Sequence, residues 1–416
     1  VLALSLVLAS CVDSRRTNPL DGDQLSGLFF PQITRPAGAE QWFGGTEQEI
    51  RWTPAQKVSD AVVSLYLVYR DTTVVIAHQI PNTGQFLWTV PNLSAASCRI
   101  RVANSRGYTD GKGTFRLNPA PVLERMETGG AGWEPAALRN RIVFTSDRGG
   151  SDDLWLLDRD TGELAPLTDA SGLDGEADWF KPNGNVLVFT SDRTGRKEVW
   201  VININERKPL QVTTKGGEHP AWQPSFFEYP TVAYTRLDER RRMHIFTTTL
   251  QVPTSEVHAL TDPIPVFPEY RVTSDRSTIG SITDIRTLQW GAPGTENILL
   301  YDTGDLLSRL WRLDVPFDQS AQRISAQDQP EGLAIPYILF PAHPSFSRSG
   351  ARVAFESDGD LYMISLFRKT PIQLTFGPEE DDFPDWASES EIVFQRRASP
   401  SDPWEIWTLQ VPEVEE

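Results

Sequence analysis

The chain writes one unit twice. Ile142-Val-Phe-Thr-Ser-Asp-Arg148 returns as Leu187-Val-Phe-Thr-Ser-Asp-Arg193, Trp155 as Trp200 and Leu167-Thr168 as Val212-Thr213, each shifted by 45 residues. Short strand-like runs recurring at a period of about 40–45 residues mark the blade of a β-propeller. Runs such as Val186-Leu-Val-Phe189 are apolar at every position, as expected of strands buried on both faces. Ten of the 13 Trp residues fall after residue 130, which places the aromatic content in the same region.

Extending the unit predicts six blades over residues 120–416. Their inner strands are marked by Trp133, Trp179, Trp222, Trp290, Phe346 and Trp386. The closing dipeptides are Leu167-Thr168, Val212-Thr213, Leu260-Thr261, Ile324-Ser325 and Leu374-Thr375. The sixth unit lacks one. Residues 120–128 precede the first unit without a blade of their own, so they are expected to supply the missing outer strand and close the ring.

Residues 27–119 read differently. Strands are expected near 28–33, 47–52, 62–69, 73–80, 86–90, 98–103 and 114–117, separated by turns such as Pro81-Asn-Thr-Gly84. Seven short strands in this span suggest an immunoglobulin-like β-sandwich. The fold class is therefore all-β: an N-terminal Ig-like sandwich followed by a six-bladed propeller. Trp42, Trp52 and Trp88 offer a stacking surface for sugars, with core positions the preferred reading for Trp52 and Trp88. Cys98 is expected to be a buried free thiol.

The chain opens on an uncharged apolar run, Val1–Ala9, about half the length a membrane-spanning helix needs. It matches the apolar core of a secretory signal. Leu8-Ala-Ser-Cys11 follows and resembles the lipobox of bacterial lipoproteins. That resemblance implies lipidation at Cys11, residues 1–10 as a partial signal peptide and 11–26 as a tether. Val12, in place of Asp, leans towards the outer membrane. The alternative is a plain signal peptide with Cys11 free or paired to Cys98.

A formal net charge of −17 argues against a nucleic-acid surface and against docking on anionic lipid by charge. The expected partner is an envelope protein or cell-wall polymer. The lipid is the only expected membrane contact, no nucleic acid is bound, and the chain is a monomer.

The position three residues ahead of each inner-strand aromatic should face the central channel. It holds Glu176, His219, His343 and Phe383; Asp382 lies beside the last, in the acidic run 379–382. These five are the candidate binding residues at the channel mouth. His219, His343 and Glu176 are of metal-ligating type, but channel lining is the preferred reading, with no metal and no cofactor. B–C turns and D-to-A crossovers share one end of a four-strand meander, so the long inserts 262–288 and 326–340 are expected to crowd that mouth. No Gly-x-Ser-x-Gly elbow occurs. Asp158-Arg-Asp160 and Asp358-Gly-Asp360 read as hairpin turns. His78, His244 and His258 read as surface or satisfied polar residues.

Two resemblances add to this. Asp178-Trp-Phe-Lys-Pro-Asn-Gly184, Pro344-Ser-Phe-Ser-Arg-Ser-Gly350 and Pro384-Asp-Trp386 resemble the repeats of the TolB-like, WD40-like propeller family. The family implies the fold; its repeats serve scaffolds, TolB and peptidases alike. TolB carries an α/β domain before its propeller, and residues 27–119 do not resemble one. Gly44–Trp52, Asn82–Pro91 and Cys98–Ala103 resemble the sandwich of fungal Ser/Thr-rich GPI-anchored cell-wall proteins and their bacterial relatives, commonly spacers or wall binders. The expected function is thus a non-enzymatic, lipid-anchored envelope scaffold. The alternatives are a carbohydrate-active or metal-dependent enzyme at the channel mouth, or glycan binding through the sandwich.

Overall fold

The computed structural model describes residues 28–223, 228–273, 285–291, 298–303, 310–314, 317–318, 323–324, 331–332, 341–366 and 371–411. Cys11, the expected lipidation site, and the tether expected over 11–26 lie outside them. The chain is all-β, with a six-residue 3-10 helix at Thr254–Ala259 as its longest helix among the described residues. No helix there is long and apolar enough to cross a membrane. The chain divides into two compact units, 1–121 and 122–416.

The first unit has a three-stranded sheet, Gln32–Arg35, Glu47–Thr53 and Gln85–Thr89. A six-stranded sheet accompanies it, with Gln41–Phe43, Phe115–Asn118, Ala95–Asn104, Val62–Tyr69 and Thr72–Pro81 in that order and Gly107–Asp110 paired to Ala95–Asn104. Strand alternation drives one face of each inward. Ile50 and Trp52 from the smaller sheet and Leu65, Leu67, Cys98, Ile100 and Val102 from the larger meet in one core. Trp42, Trp52 and Trp88 are all buried in it, so none of the three presents a stacking surface. The Trp52 indole donates to Asn82 Oδ1 at 2.7 Å. Cys98 is a buried free thiol whose pKa burial pushes up. Two strands escaped the sequence reading, Gln41–Phe43 and Gly107–Asp110. The strand expected from Leu28 starts at Gln32.

Among the described residues the second unit contains six four-stranded antiparallel sheets. Five begin with their inner strand, at Trp133–Leu138, Asp174–Trp179, Glu218–Trp222, Ile285–Trp290 and Ala342–Phe346. The sixth runs Glu380–Trp386, Glu391–Arg397, Glu405–Gln410 and then Val122–Arg125 from the start of the unit. The inner strands contact one another in sequence, and the sixth contacts the first, so the six form a cycle.

Four positions of the repeated heptamer have the same physical role in both copies. Phe144 and Phe189 are fully buried. The guanidinium of Arg148 bonds Ser146 Oγ and lies over Trp155 at 4.6 Å; that of Arg193 bonds Ser191 Oγ and lies over Trp200 at 4.8 Å. The closing Thr accepts the N–H of the second residue of the third strand, Thr168 Oγ1 from Leu154, Thr213 from Val199 and Thr375 from Leu361, at 2.8–2.9 Å.

That role corrects two assignments. In the third sheet Thr273, not Thr261, accepts the N–H of Ile245, and the outer strand is Tyr270–Arg271. In the fourth, Arg323–Ile324 belongs to a hairpin with Phe317–Asp318, and the outer strand is Glu331–Gly332. Residues 250–269 are therefore an insertion between the third and fourth strands of the third sheet, at the end opposite the one expected for the 262–288 insert. Residues 274–284 of that insert, and residues 326–330 and 333–340 of the other, lie outside the described residues.

Candidate functional site

Each inner strand carries a bulge. In the first sheet Trp133 pairs with Thr145 but Ala136 with Val143, so three steps oppose two; the second, third, fifth and sixth sheets shift in the same way. A bulge re-aims the extra side chain. The extra residues are Glu134, Glu176, His219, His343 and Phe383, all with φ between 49° and 56°. Holding a non-glycine residue there costs about 1–3 kcal/mol and needs surrounding structure to enforce it. Pro135, Pro220, Pro344 and Pro384 follow four of them.

These five bulged residues converge. With Thr287 of the fourth sheet they line a cavity of about 240 Å³, together with Asp178 and Asp385 two residues deeper. The four channel-slot residues named from sequence are all here. Asp382 is adjacent and bonds His343. Glu134 and Thr287 were missed. Thr287 obeys the same three-residue spacing from Trp290. Glu134 does not follow from Trp133, because Trp133 precedes the bulge and Ala137 takes the place that Trp179 has in the second sheet.

The Thr of the heptamer holds the bulged side chain. Thr190 Oγ1 donates to Glu176 Oε2 at 2.6 Å and Thr145 Oγ1 to Glu134 Oε2 at 3.3 Å. Thr235 Oγ1 bonds His219 Nδ1 at 3.0 Å. Neighbouring sheets are stapled through the same groups. Glu134 Oε2 accepts the Glu176 N–H at 3.1 Å, and Glu176 Oε2 accepts the His219 N–H at 2.8 Å. One layer down, Asp178 accepts the Trp222 N–H and Asp385 the Ala137 N–H, both at 2.7 Å. Gly175 permits the first contact, since a Cβ there would lie 3.0 Å from Glu134 Oε2.

These carboxylates are not equivalent. Burial, then the negative charge of Glu176, pushes Glu134 up to about 7. Burial also opposes ionisation of Glu176, but His219, with Nε2 3.3 Å away, and Lys197 outweigh it and hold Glu176 below the usual carboxylate range. Burial pushes Asp178 up to about 6.

The fifth sheet breaks this pattern. His343 Nδ1 lies 2.5 Å from Asp382 Oδ1, and the Phe383 ring stacks on the His343 ring with centroids 3.7 Å apart. Glu356 takes the place of the Thr. Burial, then Asp382, pushes Glu356 up to about 7. The sequence reading named neither Glu356 nor its meeting with His343. His244 is buried against Asp238 and Thr273, a satisfied structural histidine. Asp158 accepts the N–H groups of Asp160 and Thr161 in a hairpin turn.

No family model and no curated protein matches this chain. Among solved structures it is similar to TolB from Acinetobacter baumannii, at 14% identity and TM-score 0.43 over 86% of this chain and 82% of that one. A Bacteroides thetaiotaomicron protein of unknown function is similar at 10% identity and TM-score 0.45, over 91% and 98%. An oligogalacturonate lyase from Vibrio parahaemolyticus is similar at 12% identity and TM-score 0.39, over 71% and 98%.

Proposed function

We propose that residues 122–416 form a six-bladed β-propeller that acts as a recognition scaffold for a protein partner, taking a lysine or arginine side chain of that partner into the axial cavity. The observation that carries this reading is the excess of carboxylates in one small cavity. Glu134, Glu176, Asp178 and Asp385 line it, and two of them are driven towards the neutral acid by burial and mutual repulsion. A cationic group there favours the ionised form of Glu134 and Asp178. The overall charge of −17 favours encounter with a basic partner. The side chains are tied to backbone and hydroxyl groups, which is the rigidity a preorganised site needs. In this reading the Ig-like first unit is a spacer, and Cys11 carries the lipid that holds the protein at the outer membrane of a bacterial envelope.

The test is titration of the full chain with peptides holding one Lys or Arg among neutral residues, against the same peptides with Gln. Preferential binding of the basic peptides, weakened by Glu176→Gln, supports the reading; equal binding of basic and neutral peptides ends it. A second reading, acid–base chemistry on a glycan, draws on one observation. Glu134 is pushed up and Glu176 down, the split that separates an acid from a base. Turnover of acidic oligosaccharides that disappears in Glu134→Gln would favour it over binding alone.

A further inference from the structure

The repeat defines what each position does, so its departures stand out. At the position where Thr145, Thr190 and Thr235 support the bulged residue, the fifth sheet has Glu356. At the position before the bulge, where the first and second sheets have Trp133 and Gly175, the sixth sheet has Asp382. The two departures lie in different sheets, yet they meet at one point. A ring nitrogen of His343 and one carboxylate oxygen each from Glu356 and Asp382 all lie within 4.8 Å of one another.

We propose that His343, Glu356 and Asp382 bind one divalent transition-metal cation. Three donors arrive from three strands of two sheets, so each is positioned independently of the others. One nitrogen and two carboxylate oxygens suit Zn²⁺ or Mn²⁺, whereas Ca²⁺ and Mg²⁺ prefer oxygen alone. An ion about 2.1 Å from each donor spans at most about 4.2 Å between any two, so small side-chain rotations close the site. The ion also supplies the positive charge that two facing carboxylates lack: of the main charges acting on Glu356, namely Asp382, His343 and Asp358, only His343 can be positive. The surroundings prepare the histidine, since Phe383 stacks on its ring and fixes its plane. Glu356 Oε1 accepts the Gly359 N–H at 2.8 Å, which orients that carboxylate. If Nδ1 is the ligating atom, the proton it shares with Asp382 leaves to solvent as the ion enters. The site shares His343 with the axial cavity but does not depend on what the cavity binds. It also differs from the trio that sequence spacing suggested, because Glu176 and His219 pair with each other instead.

The experiment is calorimetric titration of chelator-stripped full chain with Zn²⁺, Mn²⁺ and Ca²⁺. One equivalent of Zn²⁺ or Mn²⁺ is expected, with Ca²⁺ at least tenfold weaker (~10-fold). Losing even a supporting group at a metal costs about 10–100-fold, so Asp382→Asn and Glu356→Gln should each weaken binding by at least that much. Glu356→Thr, which restores the residue of the first three sheets, should do the same while keeping the wild-type unfolding midpoint. His78→Ala, at an exposed position in the first unit, should change nothing. Absence of a stoichiometric site in the wild-type chain overturns the proposal. So does a site that survives both carboxylate substitutions, or one lost in His78→Ala.

Discussion

The second and fifth sheets are built on one plan and put it to different use. In the second, Thr190 ties Glu176, Glu176 ties the next inner strand, and Arg193 bridges Ser191 and Trp200. Each of these groups ties the sheets together. In the fifth, Glu356 replaces the hydroxyl and adds a second carboxylate beside His343, whose bond to Asp382 ties the fifth sheet to the sixth. Repetition within a chain marks what holds the sheets together, and departure from it marks where chemistry can enter. The two kinds of position should respond differently to substitution.

The largest effects should come from the shared plan. Trp179 and Trp386 are both buried wedges, and each indole donates to a carbonyl of the preceding sheet, Ala136 at 3.0 Å and Ser345 at 3.2 Å. Replacing either by Ala should cost about 3–5 kcal/mol in urea unfolding. Equal losses at the two sites would show that the fifth and sixth sheets carry the scaffold as fully as the first and second. A loss confined to Trp179 would break the comparison.

Next come the carboxylate staples. Asp178→Leu leaves the Trp222 N–H without its acceptor and should cost about 1–3 kcal/mol. Asp385 holds two donors, the Ala137 N–H and the Ser345 hydroxyl, so Asp385→Leu should cost more than Asp178→Leu. The same unfolding measurement ranks them.

Smaller, and specific in sign, is the effect of pH. The ordinary Glu value is 4.5, and Glu134 in the fold is pushed up to about 7. The folded protein therefore binds the Glu134 proton more tightly than the unfolded chain does. Its contribution to stability is fully present below pH 4.5 and is lost as pH rises to about 7. The difference between wild type and Glu134→Gln, followed by thermal unfolding across that window, should show this slope. A cationic peptide prefers the ionised acid, so its affinity should rise through the same window while stability falls. Glu176, Lys197 and His343 act on Glu134 through their charge, which is why the comparison is with the single variant.

How far the site could be read in advance depends on what defines each position. The three-residue spacing from a buried aromatic located Glu176, His219, His343 and Phe383, because the bulge and the wedge sit on one strand and their separation is local. Glu134 escaped because the first sheet has Ala137 where the wedge should be, and Trp133 stood nearby as a decoy. The third sheet's outer strand escaped for a related reason. Leu260-Thr261 has the right letters at the right distance, but the closing Thr is defined by the N–H it accepts, and only the fold shows that Thr273 takes that role. The meeting of Glu356 with Asp382 crosses two sheets and lies 26 residues apart in the sequence, a distance no repeat rule bridges. The buried state of Trp42 likewise follows from the Phe115 ring 4.6 Å away, on a strand more than 70 residues later.

The finest distinction lies between the first two sheets themselves. Both place a Thr hydroxyl against the bulged carboxylate, at 3.3 Å for Thr145 and 2.6 Å for Thr190. The shorter bond reaches the carboxylate that His219 and Lys197 keep ionised, and a hydrogen bond to a charged group is worth about 1.5–3 kcal/mol against about 1 for a neutral one. Thr190→Val should therefore destabilise the fold by roughly twice as much as Thr145→Val at pH 6. Valine keeps the shape and removes only the hydroxyl. Raising the pH above 7 ionises Glu134 as well, strengthens the Thr145 bond and narrows the gap between the two variants. A gap that stays constant with pH would mean that the two carboxylates share one charge state, and the asymmetry assigned to the cavity would be lost.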